Sequence, residues 1–170
     1  TNASATMPAG TVFSASVDDV SYQFVTISDV TAFNSGSNIV FDDIRIYEGS
    51  YVSSRYVVDT QNVEQRFLIN DDRADTTTLS VKVQNSATDT TQTTFTQATD
   101  ISGLTSTSNV YFLQEVEDGQ YEIYFGDGIL GSAIEDGNII IMQYVVTNKG
   151  AANGASAFTS SSAIDTVNSV

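Results

Sequence analysis

Histidine, cysteine and tryptophan are all missing from these 170 residues, and proline occurs once, at Pro8. Without histidine, the Ser-His-Asp and Cys-His nucleophile systems cannot be built, and the commonest neutral metal ligand is gone. Without cysteine there is neither a disulfide framework nor a thiolate metal site, so stability must come from packing and assembly. Basic residues are scarce too: six stand against 21 acidic ones, for a formal net charge of −15. A surface of that sign repels phosphate backbones and anionic headgroups, which argues against nucleic acid and membrane as partners. No apolar run approaches the ~20 residues that a membrane-crossing helix needs. Residues 1–10 lack the basic and apolar regions of a signal peptide and read as a loose leader up to Pro8.

What is present is β-prone. Hydrophobic residues make up 41% and charged residues only 16%, so the rest of the surface is Ser, Thr, Asn, Gln and Gly, which suit strands and turns. Met7-Pro8-Ala9-Gly10 reads as a turn, and Asp18-Asp19 separates two β-prone runs, 11–15 and 22–27, as arms of a hairpin. Residues 39–48 and 51–59 read as further strands, with 51–59 a candidate edge for pairing with partners. Residues 66–69 and 79–83 suggest a small separate unit, and the Thr- and Ser-rich tract 85–94 an exposed connector. Residues 110–115 and 121–125 form the sharpest hairpin pattern, with Tyr121, Ile123 and Phe125 on one face and Glu122 and Tyr124 on the other. Residues 139–146 are apolar on nearly both faces except at Gln143, the mark of a central strand. Residues 155–158 suggest one more strand, and residues 162–167 leave room for one helical turn. The expected fold is all-β, an antiparallel sandwich of short strands with long polar loops. Residues 1–62 and 100–158 would form the main domain, 63–99 a small β insertion with a polar connector, and 159–170 a flexible C-terminal tail.

The densest local signal is Gly126, Asp127 and Gly128, followed by Gly131 and by Asp136 and Gly137. Glycine adopts positive φ freely and Asp bonds backbone amides in turns, so two consecutive tight turns account for all six residues. A cation site built from Asp118, Asp127, Glu135 and Asp136 is the sharper alternative, but the alternating acidic spacing of an EF-hand is absent. The acidic clusters Asp18-Asp19, Asp42-Asp43 and Asn70-Asp71-Asp72 with Asp75 read as solvated turns. No catalytic residue, cofactor or metal is expected. Twenty-one acidic residues make some carboxylate pair inevitable, so availability alone is no argument for a glycosidase. The eight Tyr and nine Phe are dispersed on strands at period two, which suits core and interface packing better than a sugar-stacking platform.

Several of these segments carry a resemblance: Met7 to Phe13 with Tyr22 to Thr26, Tyr47-Glu48-Gly49, Tyr121 to Gly128, Gly131, Glu135 to Asn138, and Tyr144. Together they resemble the baseplate J-like family of contractile-tailed bacteriophages, over roughly residues 7–158. The resemblance implies a structural protein of the virion tail baseplate, assembled in the host cytoplasm, acting through contacts with other baseplate subunits and with copies of itself in a ring. Members are usually much longer, which makes this chain one domain. A rival reading from the residues is an extracellular adhesin or carbohydrate-binding β-sandwich module, suggested by the Thr, Ser and Asn richness and the acidic turns.

Overall fold

The computed structural model describes residues 4–34, 36, 38–161, 164 and 167–168. It is all-β, and its strands in chain order are β1 (Ser4–Met7), β2 (Val12–Val17), β3 (Val20–Val25), β4 (Val30–Phe33), β5 (Tyr47–Glu48), β6 (Ser50–Val57), β7 (Phe67–Ile69), β8 (Ala74–Gln84), β9 (Gln92–Gln97), β10 (Val110–Glu115), β11 (Tyr121–Phe125), β12 (Ile139–Val146), β13 (Thr159–Ser160) and β14 (Val167–Asn168). The chain divides into two compact units, Thr1–Tyr51 with Val145–Val170, and Val52–Tyr144. The divisions fall inside β6 and β12.

The second unit is built on a seven-stranded sheet in the order β6-β12-β8-β9-β10-β11-β7. Its apolar run Ile139–Val146 lies between β6 and β8 and is buried on both faces, as a continuous apolar strand should be. The β10–β11 hairpin pairs Tyr111 with Phe125, Leu113 with Ile123 and Glu115 with Tyr121. Ile123 is buried while its neighbour Tyr124 is exposed, so the period-two pattern decides which face meets the core. Phe67, Ile69, Val81, Phe95, Tyr111 and Ile140 are buried with it. Aromatic rings join the strands edge to face: Tyr56 to Phe67 at 5.7 Å, Phe67 to Phe125 at 6.1 Å and Phe125 to Phe95 at 5.3 Å. The first and last strands of the order are themselves linked through side chains. The Tyr56 hydroxyl donates to the Leu68 carbonyl at 2.8 Å, and Gln65 Nε2 donates to the Val57 carbonyl at 2.8 Å. The sheet therefore curls into a nearly closed barrel.

The first unit contains a three-stranded sheet, β14-β1-β4, and a four-stranded sheet, β13-β2-β3-β5. The β2–β3 hairpin turns through Asp18 and Asp19, at φ 49° and 65°. Two successive positive φ values match the right-handed twist of the strands, and Asp is one of the few non-glycine residues that tolerates them. The Pro8 turn is locked by two threonines: Thr11 Oγ1 and Thr26 Oγ1 both donate to the Pro8 carbonyl, at 2.7 and 2.9 Å. Thr26 is buried, and this bond satisfies its hydroxyl.

Several expectations need correction. The segment before Pro8 is no loose leader: Ser4–Met7 forms β1, paired with β4 and β14, and buries Ala5 and Met7. Residues 39–48 yield an isolated bridge at Ile39 and the short β5, because Asp43 at φ 51° breaks the run. The tract 85–94 is largely exposed, as a connector should be, but it is an ordered turn whose end already belongs to β9: Asn85 donates to the Thr91 carbonyl at 3.0 Å, and β9 pairs with β8 from Gln92 onward. Pairing is not antiparallel throughout, since β9 and β10 run parallel through Thr96 and Val110. Residues 98–109 supply the crossover of about a dozen residues that parallel neighbours require. The last strand before residue 161 is β13, one step beyond the expected 155–158. Residues 63–99 contribute β7, β8 and β9 to the seven-stranded sheet, and in the segment 159–170 lie β13 and β14. The helical turn considered at 162–167 falls largely outside the described residues.

Candidate functional site

The six turn residues sit in two adjoining loops of the second unit, each tied to a different part of it. In the first, Asp127 accepts the backbone N–H of Ile129 at 2.9 Å and of Leu130 at 3.0 Å. Those N–H groups, Leu130 first, hold the Asp127 carboxyl below its ordinary range. Gly128, at φ +82°, donates to the Gly131 carbonyl at 3.0 Å, and Gly131, at φ +89°, donates to the Thr105 carbonyl at 3.0 Å. Ser132 adds a bond to the Ser108 carbonyl at 2.8 Å. The loop after β11 is thereby stapled to the crossover before β10.

In the second loop, Gly137, at φ +79°, donates to the Val58 carbonyl at 2.9 Å, and Val58 donates to the Asn138 carbonyl at 2.8 Å. Asp136 Oδ1 accepts the backbone N–H of Thr60 at 3.0 Å. Asn138 closes the turn by accepting the Glu135 N–H at 2.8 Å and donating to the Asn85 carbonyl at 2.9 Å. Gly126 differs from the other turn glycines. Its φ is ordinary, but a Cβ there would run into the backbone of Leu130 and Gly131. Its requirement is close approach, not positive φ. β11 lies between β10 and β7 in the sheet, so these turns do not set it against β12.

A second demanding glycine is Gly49 in the first unit, which stands out in the sequence only within Tyr47-Glu48-Gly49. It combines φ +125° with a Cβ direction blocked by the Val146 carbonyl and the Val145 side chain. Beside it, Glu48 accepts two bonds from Asn148, from the backbone N–H at 2.9 Å and the side-chain amide at 2.6 Å.

Elsewhere several other acidic side chains are also hydrogen-bonded. Asp89 accepts from Asn85 Nδ2 at 2.8 Å and from the Thr91 N–H at 3.0 Å, which together lower its pKa to about 2, the Asn85 bond most. Asp75 accepts the Thr77 N–H at 2.9 Å, and Asp100 accepts the Ser102 N–H at 2.8 Å. Glu122 takes a two-pronged bond from Arg66 at 3.0 and 2.7 Å, and that guanidinium holds its carboxyl below the ordinary range. Among the described residues, no group of three or more acidic side chains is placed to hold a metal ion, and no buried side-chain nitrogen or oxygen lacks a hydrogen-bond partner. Asp118, Asp127, Glu135 and Asp136 thus do not converge as a cation site. In both loops a carboxylate accepts backbone N–H groups of a turn or of the neighbouring segment.

Residues 51–156 match the family described as bacteriophage baseplate wedge protein gp6, third domain. The chain belongs to this family. The baseplate wedge protein gp6 of Enterobacteria phage T4 is 27% identical over 171 residues, which cover 90% of this chain and 25% of that protein. The chain therefore spans about a quarter of the length of the curated relative it matches. Both stapled loops lie within the portion matched to the gp6 third domain, and so does the whole of β7 to β12.

Proposed function

We propose that this chain is a domain of a structural wedge subunit in the tail baseplate of a contractile-tailed bacteriophage, and that it acts by assembling with other baseplate subunits. The family match over residues 51–156 carries this reading. The use of side chains supports it: Asp127 and Asp136 accept backbone N–H groups and Glu122 is held by Arg66, bonds that stiffen a building block. The domain is not an enzyme. A net charge of −15 favours partners with basic surfaces and speeds their approach. Copies of the whole subunit meet in a ring within the virion baseplate, where the parts of the protein outside this domain contribute as well.

Sedimentation of the chain with purified wedge subunits from the same phage tests the reading. Co-sedimentation that weakens as salt is raised is the expected result. A chain that stays monomeric beside every wedge subunit contradicts it.

A further inference from the structure

We infer that the outer edge of β4 is a docking slot for an extended segment of a neighbouring protein chain, one that alternates basic and apolar side chains and adds a strand to the three-stranded sheet. The inference rests on the assembly reading and goes beyond it by naming the surface and the chemistry of its occupant.

β4 is the last strand of the order β14-β1-β4. Its register with β1 runs Ser4 to Phe33, Ala5 to Ala32, Thr6 to Thr31 and Met7 to Val30. In an antiparallel pair alternate residues turn their N–H and C=O away from the partner, so half of the β4 backbone groups face the other side. On that side, among the described residues, the chain returns through one isolated bridge, Asn34 to Ile39. Between β4 and the returning residues runs a groove lined by Val30, Thr31, Phe33, Val40, Phe41 and Asp42. Its lining is apolar on both sides, with Val30, Ala32 and Phe33 on the strand and Val40 and Phe41 on the returning segment. Phe33 is 65% exposed and Val40 54% exposed, an unusual cost to leave in water beside an open edge. Natural sheets protect such edges with lysine, proline or a covering segment; residues 30–34 and 38–42 contain neither lysine nor proline. The edges of the seven-stranded sheet show the contrast, since the Tyr56 hydroxyl of one bonds the Leu68 carbonyl of the other.

The charge of the slot selects its occupant. Asp42 lines it and Asp43 follows, in a chain of net charge −15 with six basic residues in all. A second copy of this chain would bring the same acidic charge to the contact, so edge-to-edge self-pairing is opposed. A segment with Lys or Arg facing the acids and apolar residues facing Phe33 and Val40 meets both walls, and its backbone supplies the missing ladder.

The test uses the chain with two probe peptides of identical composition, one alternating Lys and Val, the other with the Lys and Val in separate blocks. Amide hydrogen exchange locates binding. Slowed exchange at residues 30–33 with the alternating peptide alone is expected, together with binding about tenfold weaker in the Phe33→Lys, Val40→Lys double variant. Both positions are exposed, so the variant should melt like the parent, and a second variant, Val63→Lys, which changes an exposed residue far along the chain, should bind as the parent does. Equal binding of both peptides, protection centred elsewhere, or an unaffected double variant overturns the slot. Co-sedimentation with wedge subunits separates the two levels. If the parent co-sediments and the double variant does so equally well, the slot assignment is wrong and the wedge role stands; if the parent itself fails to co-sediment, both fall.

Discussion

In the seven-stranded sheet, β6 and β7 stand at opposite ends of the strand order, and the Tyr56 hydroxyl reaches across to the Leu68 carbonyl to join them. In the three-stranded sheet, β4 ends the order with Phe33 and Val40 exposed beside it and, among the described residues, one isolated bridge along its outer side. The same strand-rich, cysteine-free sequence treats its edges in two ways. Closure removes an edge and rigidifies the unit, at no gain in adhesion; an edge left open keeps a backbone template for another chain. The second unit is thus organised to hold its own shape, and the first to be completed.

Core truncation should separate the two regions most sharply. Phe95→Ala removes a buried ring from the aromatic chain of the second unit and should cost about 3–5 kcal/mol by urea denaturation. Phe33→Ala on the open edge should stay within about 0.5 kcal/mol of the parent. Comparable losses at the two positions would break the comparison. Gly126→Ala should come next, on the order of 2–3 kcal/mol, because the Leu130 and Gly131 backbone must move to admit a methyl group. Tyr56→Phe removes the hydroxyl that spans the gap between β6 and β7, and should cost about 1 kcal/mol while raising hydrogen exchange at residues 67–69. In the first unit, Asp19→Gly relieves a positive φ and the repulsion of adjacent acids, and should stabilise by about 0.5–1 kcal/mol in thermal melts.

The smallest expected effect is one of pH. A depressed carboxyl pKa stabilises the folded state above the unfolded value and loses that contribution as pH falls through the folded one. Asp89 goes from an ordinary 3.8 to about 2, so its contribution to the β8–β9 turn is complete above about pH 4 and fades towards pH 2. Asp89→Asn should flatten that part of the acid-denaturation profile; an unchanged profile would show that the Asn85 and Thr91 bonds are not stabilising the turn.

Period-two patterning made the β10–β11 hairpin and β12 legible, because each has a core face or two to reveal. Short polar strands were not legible. Ser4–Met7 buries Ala5 and Met7 through a pattern of four residues, too brief to stand out, and β9 offers Phe95 as its single buried apolar side chain among threonines and glutamines. Ile39 to Glu48 misled in the opposite direction: its residues suit a strand one by one, but Asp43 in the left-handed region redirects the chain. The parallel pairing of β9 with β10 and the approach of β6 to β7 depend on the path of the connectors 98–109 and 58–66, about which the propensity of each strand carries no information. Of the candidate site, the residue types of both turns were legible, whereas the reason for Gly126 was not, since close approach depends on where a second backbone segment lies.

Hydrogen exchange of the chain, free and then within a reconstituted wedge, addresses the central claim most directly, that this domain acts through assembly on a pre-formed scaffold. Amides of β8 to β12 should already be protected in the free chain and change little on assembly, while the outward amides of β4 gain protection. An exchange pattern identical in the free and assembled states, with no segment newly shielded, would contradict the account.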